Sequence, residues 1–183
     1  MPKSTNQRQA IIDAALNLFA TRGYALTPIT MIAERANVST GLMYNFFLSK
    51  DDLLREIVNQ GFNDIRQSMK IYEDKSLPPQ QIIQIHITTT FQIIQEHNNF
   101  WRLFHTIRLQ EKVAKPMRLV FNDMIEYITT TFTNIFKSLN YKNPELEAIL
   151  FLSQIDGLAL LYLQDNSIPI AKLSKQIIQR YTK

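Results

Sequence analysis

Proline placement limits what this chain can fold into more than any other feature. Pro28, Pro79, Pro116, Pro144 and Pro169 each stand where a fresh 3/4 spacing of apolar residues begins. Proline is preorganised for the first turn of a helix and has no N–H to leave unsatisfied there. Glycine occurs only at positions 23, 41, 61 and 157. The chain therefore reads as a series of about nine helices, predicted over 5–22, 28–36, 40–47, 50–75, 79–97, 99–112, 116–138, 144–164 and 169–182. The β-prone run Ile128-Thr129-Thr130-Thr131-Phe132-Thr133 sits inside a helical period, so the expected fold class is all-α.

The first four helices carry their own start and stop signals. Ser4 and Gln7 suit a capping box for the first, Ile12, Ala15, Leu16 and Phe19 form its stripe, and Gly23 suits its C-terminal cap. Thr27 is expected to cap the second helix, with Pro28 at its first position, and Asn37-Val38 makes a tight turn. Ser39 is expected to cap the third. Ser49 and Asp52 cap a long fourth helix, predicted over 50–75 and roughly 37 Å long at 1.5 Å per residue, whose apolar residues run from Leu54 to Tyr72. Two short helices, a tight turn and a following long helix are the layout of a helix-turn-helix DNA reader.

In such a reader the N-terminal part of the second helix enters the major groove. That places Ser39, Thr40, Gly41, Leu42, Tyr44 and Asn45 toward DNA and turns Met43 and Phe47 inward. Gly41 either permits close backbone approach to DNA or relieves helix packing. Tyr44 offers either a hydroxyl for a phosphate or base, or core packing. Lys50, in the first turn of the long helix, opposes the macrodipole and is explained if a phosphate docks there. Leu42 suits thymine methyl groups, which gives an AT-leaning operator.

Charge supports that reading. Residues 1–50 hold five Lys/Arg against two Asp/Glu, a net +3, whereas residues 51–183 hold fifteen against fourteen, a net +1. The surplus lies around the DNA reader, the direction expected of a phosphate-binding face. With no cysteine, disulfides and thiolate chemistry are excluded. The polar N-terminus does not read as a signal peptide, and no uninterrupted apolar run approaches the roughly 20 residues that span a bilayer. The expected location is the cytoplasm.

Between Arg8 and Leu54 the chain resembles the tetracycline-repressor-like (TetR) family of transcriptional regulators. The resemblance is carried by Ile11-Ile12-Asp13-Ala14-Ala15-Leu16-Asn17-Leu18-Phe19, Gly23-Tyr24, Thr27, Ile32-Ala33, Ala36-Asn37-Val38-Ser39, Gly41, Tyr44, Phe47, Ser49-Lys50 and Leu53-Leu54. It implies an N-terminal three-helix DNA-binding head at 1–50, a helical effector-binding and dimerisation body at 51–183, and a homodimer on a palindromic double-stranded operator. It assigns DNA contact to Thr27, Ser39, Thr40, Gly41, Tyr44, Asn45 and Lys50. Two residues depart from the family pattern. Asn37 replaces a usual glycine, and asparagine tolerates the left-handed conformation. Phe46 replaces a common histidine and cannot bond a phosphate.

The segment Pro144–Leu163 is apolar almost all round, so it must be covered on two sides. One cover is expected to be a partner subunit, the alternative being burial within the chain itself, and this places Leu152, Ile155, Ala159 and Tyr162, together with Leu173 and Ile177 of the last helix, at a dimer interface. Gly157 then permits close helix approach. The middle of the chain is rich in aromatics, and Phe91, Trp101, Phe104, His105, Phe121 and Tyr127 form a candidate pocket for a small apolar or amphipathic effector. No metal-ligand spacing, Ser-His-Asp arrangement or glycine-rich phosphate loop is present, so no catalysis and no cofactor are expected. The expected function is a ligand-released repressor. The alternatives are a DNA-binding dimer controlled by a protein partner and a helical interaction module without DNA.

Overall fold

The computed structural model describes residues 4–74 and 76–182, without the side chains of Ser4, Thr5 and Asp64. The Ser4–Gln7 capping box and the expected helix end at Lys75 thus lie outside the described residues. Among these residues there are nine helices longer than one turn and no strand. They are α1 (Ser4–Arg22), α2 (Ile29–Arg35), α3 (Thr40–Phe46), α4 (Lys50–Met69), α5 (Pro79–Glu96), α6 (Asn98–Ile107), α8 (Arg118–Ser138), α9 (Pro144–Gln164) and α10 (Ile170–Tyr181). A single turn, α7 (Glu111–Ala114), follows α6.

The long fourth helix is shorter than its apolar spacing predicts. It ends at Met69 and tightens into a 3-10 turn over Lys70–Glu73, so its α-helical part is about 30 Å long. The tightening leaves the Tyr72 hydroxyl bonded to His86 Nδ1. α6 also ends early, at Ile107 rather than 112. Its apolar stripe, Phe100, Phe104 and Ile107, would continue onto Gln110 and Glu111. The chain turns there and buries Ala114 and Met117 instead.

The helices fall into two compact units. The first holds α1–α3, α4 as far as Asp64, and Asn99–Met117. In it α1 packs on α2 and α3, burying Ile11, Ala15, Phe19, Ile32, Met43 and Phe47. Phe62 sits edge-on to Phe100 and Phe104, with ring centres 5.8 and 5.4 Å away. Gly61 is required beside them, because a Cβ there would lie 2.1 Å from the Phe100 ring.

The second unit holds Ile65–Asn98 and Arg118 onward. There α8 packs along α9, and α10 along α5. Phe132, Phe136 and Phe151 are fully buried, each contributing about 1.5–3 kcal/mol by transfer from water. His86 lies among them, its ring centre 4.5 Å from that of Phe132.

Two helix ends use the same device. Asn37 (φ 54°) and Asn140 (φ 60°) are the non-glycine residues with positive φ among the described residues. After α2, the N–H groups of Asn37 and Val38 donate to the carbonyls of Glu34 and Ala33. After α8, those of Asn140 and Tyr141 donate to Lys137 and Phe136. Both are Schellman closures, with asparagine in the place glycine usually takes. The turn that aims α3 therefore forms despite the missing glycine.

Apolar exposure is concentrated on α9. Ala148, Phe151, Ile155, Leu158 and Ala159 are buried, whereas Leu146, Ile149, Leu150, Leu160 and Leu161 are exposed. By length and composition α9 is apolar enough to cross a membrane, with a mean hydropathy of 1.6 over its 18-residue window. Counting uninterrupted runs hides this, because Ser153, Gln154 and Asp156 break the run without lowering the mean far.

Candidate nucleic-acid interface

α3 is built to hold one face inward and present the other. Ser39 is extended (φ −73°, ψ 151°), and its Oγ accepts from the Leu42 N–H at 3.1 Å. This is an N-cap as expected. Met43 (1% exposed) and Phe47 (3%) anchor the inner face, and the Arg8 guanidinium lies 5.1 Å from the Phe47 ring centre. On the outer face Gly41, Tyr44 and Asn45 are exposed, while Thr40, Leu42 and Phe46 are half-buried. Tyr44 is 50% exposed and so is not a core residue. A Cβ placed on Gly41 would meet no atom within 4 Å. Helix packing therefore does not account for this glycine, and its open side faces outward.

Two expected DNA contacts are placed differently. Thr27 is fully buried, and its hydroxyl donates to the Gly23 carbonyl at 2.9 Å. It neither caps α2, whose N-cap is Pro28, nor has a surface to offer DNA. Lys50 Nζ donates to the carbonyls of Tyr24 (2.9 Å) and Thr27 (3.1 Å) and lies 4.4 Å from the Tyr24 ring centre. The lysine at the start of α4 thus has partners within the chain, the carbonyls of the α1–α2 loop, which take two of its three N–H groups.

The loop is locked from its other side too. The Tyr24 hydroxyl donates to Asp51 Oδ1. Burial, that bond and the Asp51 charge together push the Tyr24 pKa well above the ordinary tyrosine value. At the start of α4, Ser49 Oγ accepts from the Asp52 N–H (3.0 Å), and Asp52 Oδ2 accepts from the Leu48 N–H (3.1 Å). This is the expected cap, shifted one residue on the returning bond.

Arg22 and Arg35 are exposed cations in the last turns of α1 and α2. Only their charge marks them in the sequence, and a cation at a helix C-terminus is also explained by the macrodipole. By contrast, Arg8 is ion-paired with Glu56 at 3.0 Å.

In the second unit, the residues expected at a dimer interface divide. Ile155 (5% exposed) and Ala159 (3%) are buried within the chain itself, which corrects their assignment to an outer face. Leu152, Tyr162, Leu173 and Ile177 are half-buried. The outward stripe of α9 is instead Leu146, Ile149, Leu150, Gly157, Leu160 and Leu161. A Cβ on Gly157 would meet nothing within 4 Å, so no close helix approach in this chain requires that glycine.

The six candidate pocket residues also separate. Trp101, Phe104 and His105 belong to the first unit and adjoin one another. Phe91, Phe121 and Tyr127 belong to the second, with Phe91 and Phe121 buried. Tyr127 lines a cleft of about 360 Å³ together with Tyr72, Glu73, Thr131, Asn134, Ile135 and Ser138. Among the described residues, no group of three or more His, Asp or Glu could hold a metal.

Comparison with known proteins agrees with this architecture. Residues 11–57 match the family described as bacterial regulatory proteins, tetR family. The HTH-type transcriptional regulator YhgD of Bacillus subtilis (strain 168) is 26% identical over 157 residues, covering 81% of this chain and 80% of that protein. A TetR-like transcriptional regulator from Rhodococcus sp. RHA1 shares the fold with a TM-score of 0.82 at 18% identity, covering 98% and 97% of the two chains. So does the transcriptional regulator FadR of Bacillus subtilis, solved in complex with stearoyl-CoA, with a TM-score of 0.78 at 18% identity, covering 96% and 97%. Residues 11–57, with the capped and outward-facing α3, thus form a DNA-binding head of the tetR family, and the all-helical chain as a whole shares the fold of TetR-like transcriptional regulators.

Proposed function

We propose that this protein works as a homodimeric repressor that reads a palindromic operator through α3 and leaves it when a small ligand binds the body. The outward face of α3 carries the reading. Gly41 leaves room for close approach of a DNA backbone, with Thr40, Tyr44 and Asn45 beside it to bond phosphates and base edges. Leu42 at the edge of that face suits a thymine methyl. Lys50 acts at one remove, by fixing the loop that precedes α2. The functional division falls near Lys50, with effector binding and dimerisation beyond it.

The exposed stripe of α9 supports the dimer. Five exposed leucine and isoleucine side chains on one helix are too much apolar surface to leave in water, and the open Gly157 lets a second copy of α9 approach closely. Leu173 and Ile177 of α10 extend the patch. A symmetric pair would present two copies of α3, and half-sites one turn or a whole number of turns apart would meet both. Nothing in this role calls for catalysis, and its site of action is the cytoplasm.

FadR of Bacillus subtilis, which shares the fold, was crystallised in complex with stearoyl-CoA. A small amphipathic effector for this chain is the corresponding reading. Release requires the ligand to favour a dimer geometry that fits DNA poorly. In vitro selection from random duplexes tests the proposal. An enriched inverted repeat is expected, and a pool without enrichment would contradict it.

A further inference from the structure

The cleft on the second unit has a chemistry that the aromatic residues of the sequence do not announce. One wall is a face of α8, where Tyr127, Thr131, Asn134 and Ile135 recur at helical spacing. The other wall is the 3-10 turn after α4, with Tyr72 and Glu73. At about 360 Å³ it lies at the small end of ligand-site volumes. Among the described residues, its lining contains one carboxylate and no lysine, arginine or histidine.

Among the described residues, the Glu73 carboxylate accepts one side-chain hydrogen bond. Tyr127 donates to Glu73 Oε1 over 3.4 Å, a long hydrogen bond that takes one of about four acceptor positions. The Tyr72 hydroxyl is bonded to His86, so Tyr72 offers the cleft its ring. Burial and the Glu73 charge raise the Tyr127 pKa, while burial and the proximity of Tyr127 raise that of Tyr72. Both phenols therefore stay neutral, and neither competes with Glu73 as an anion.

We propose that this cleft binds a small primary organic ammonium carrying a short apolar group. The ammonium donates to Glu73 and to the Asn134 and Thr131 oxygens, and the apolar part packs against the Tyr72 and Tyr127 rings. A polyol would use the hydroxyl and amide groups but leave the charge of Glu73 unanswered. The position suits regulation, because the 3-10 turn directly continues α4 in sequence. That regulatory role rests on the proposed repressor function, whereas the binding does not.

Calorimetric titration of the full chain with phenethylamine, and with its neutral counterpart 2-phenylethanol, tests the site. Phenethylamine binding is expected, with Glu73→Gln weakening it about fivefold, the scale of one exposed ion pair, and with unchanged thermal melting. Equal binding of the neutral probe, no binding of the amine, or an unaffected Glu73→Gln would each overturn the proposal. Fluorescence anisotropy on the selected duplex separates the two readings. Amine bound with DNA retained would remove the regulatory role of the cleft, and failure to bind any duplex would overturn the repressor reading alone.

Discussion

The Lys50 ammonium donates a hydrogen bond to the main-chain carbonyl of Thr27, 3.1 Å away. Two residues expected to grip DNA are thus tied to each other in the fold that holds α2. Each yields a prediction. Thr27→Val keeps the shape of a fully buried side chain but loses the bond to Gly23. It should cost about 1 kcal/mol of stability and leave DNA affinity unchanged. A tenfold loss of affinity without loss of stability would return Thr27 to the interface.

Lys50→Ala removes charge-assisted bonds to two carbonyls. Urea denaturation should show a loss of about 1–3 kcal/mol with an unchanged slope. If stability is unaffected while the salt dependence of DNA binding falls by about one ion, the lysine is a phosphate contact after all.

The glycines at 61 and 157 separate packing within the chain from packing between chains. Gly61→Ala drives a Cβ to within 2.5 Å of three Phe100 ring atoms, so overpacking should destabilise the fold by about 1–3 kcal/mol. Gly157→Ala meets nothing and should gain up to about 1 kcal/mol of helix propensity. On the proposed dimer face it should also weaken association, read by sedimentation equilibrium. A variant that is more stable and equally dimeric would take Gly157 off the interface.

Acid should weaken the body through His86. Burial pushes its pKa down to about 3, while in the unfolded chain it titrates near 6.5. As pH falls below 6.5 the unfolded state takes up a proton that the folded state refuses. Stability is therefore complete above pH 6.5 and lost between about 6.5 and 3, with a slope of up to about 1.4 kcal/mol per unit. Between pH 7 and 5 the wild type should lose about 2 kcal/mol more than His86→Phe. Parallel curves for the two would show that His86 is not the source.

The sequence made much of this legible because local signals and tertiary packing agree. Prolines mark the starts of α5 and α9, apolar spacing sets the inner face of α3, and Asn37 takes the left-handed turn that its side chain tolerates. Sequence and structure part where a partner lies far along the chain. Nothing near Lys50 in sequence reveals that its acceptors are at Tyr24 and Thr27, and nothing near Thr27 marks it as enclosed. On α9 the periodic signal itself fails. A helix apolar on every side does not say which face its own chain covers, and here that face holds Ile155 and Ala159 while Leu150 and Leu161 face out. The cleft at Glu73 was hidden for a related reason, since the apolar spacing ran past the 3-10 turn that forms one of its walls.

The central claim is that the outward face of α3 reads DNA, and Gly41→Ala tests it most directly. The added methyl meets no atom of the protein, and alanine is the better helix former by about 1 kcal/mol. Stability and affinity for the selected duplex, measured on the same preparation, should move in opposite directions: melting temperature unchanged or raised, DNA affinity reduced tenfold or more. A variant that melts no lower and binds the duplex as tightly as the wild type would contradict the account.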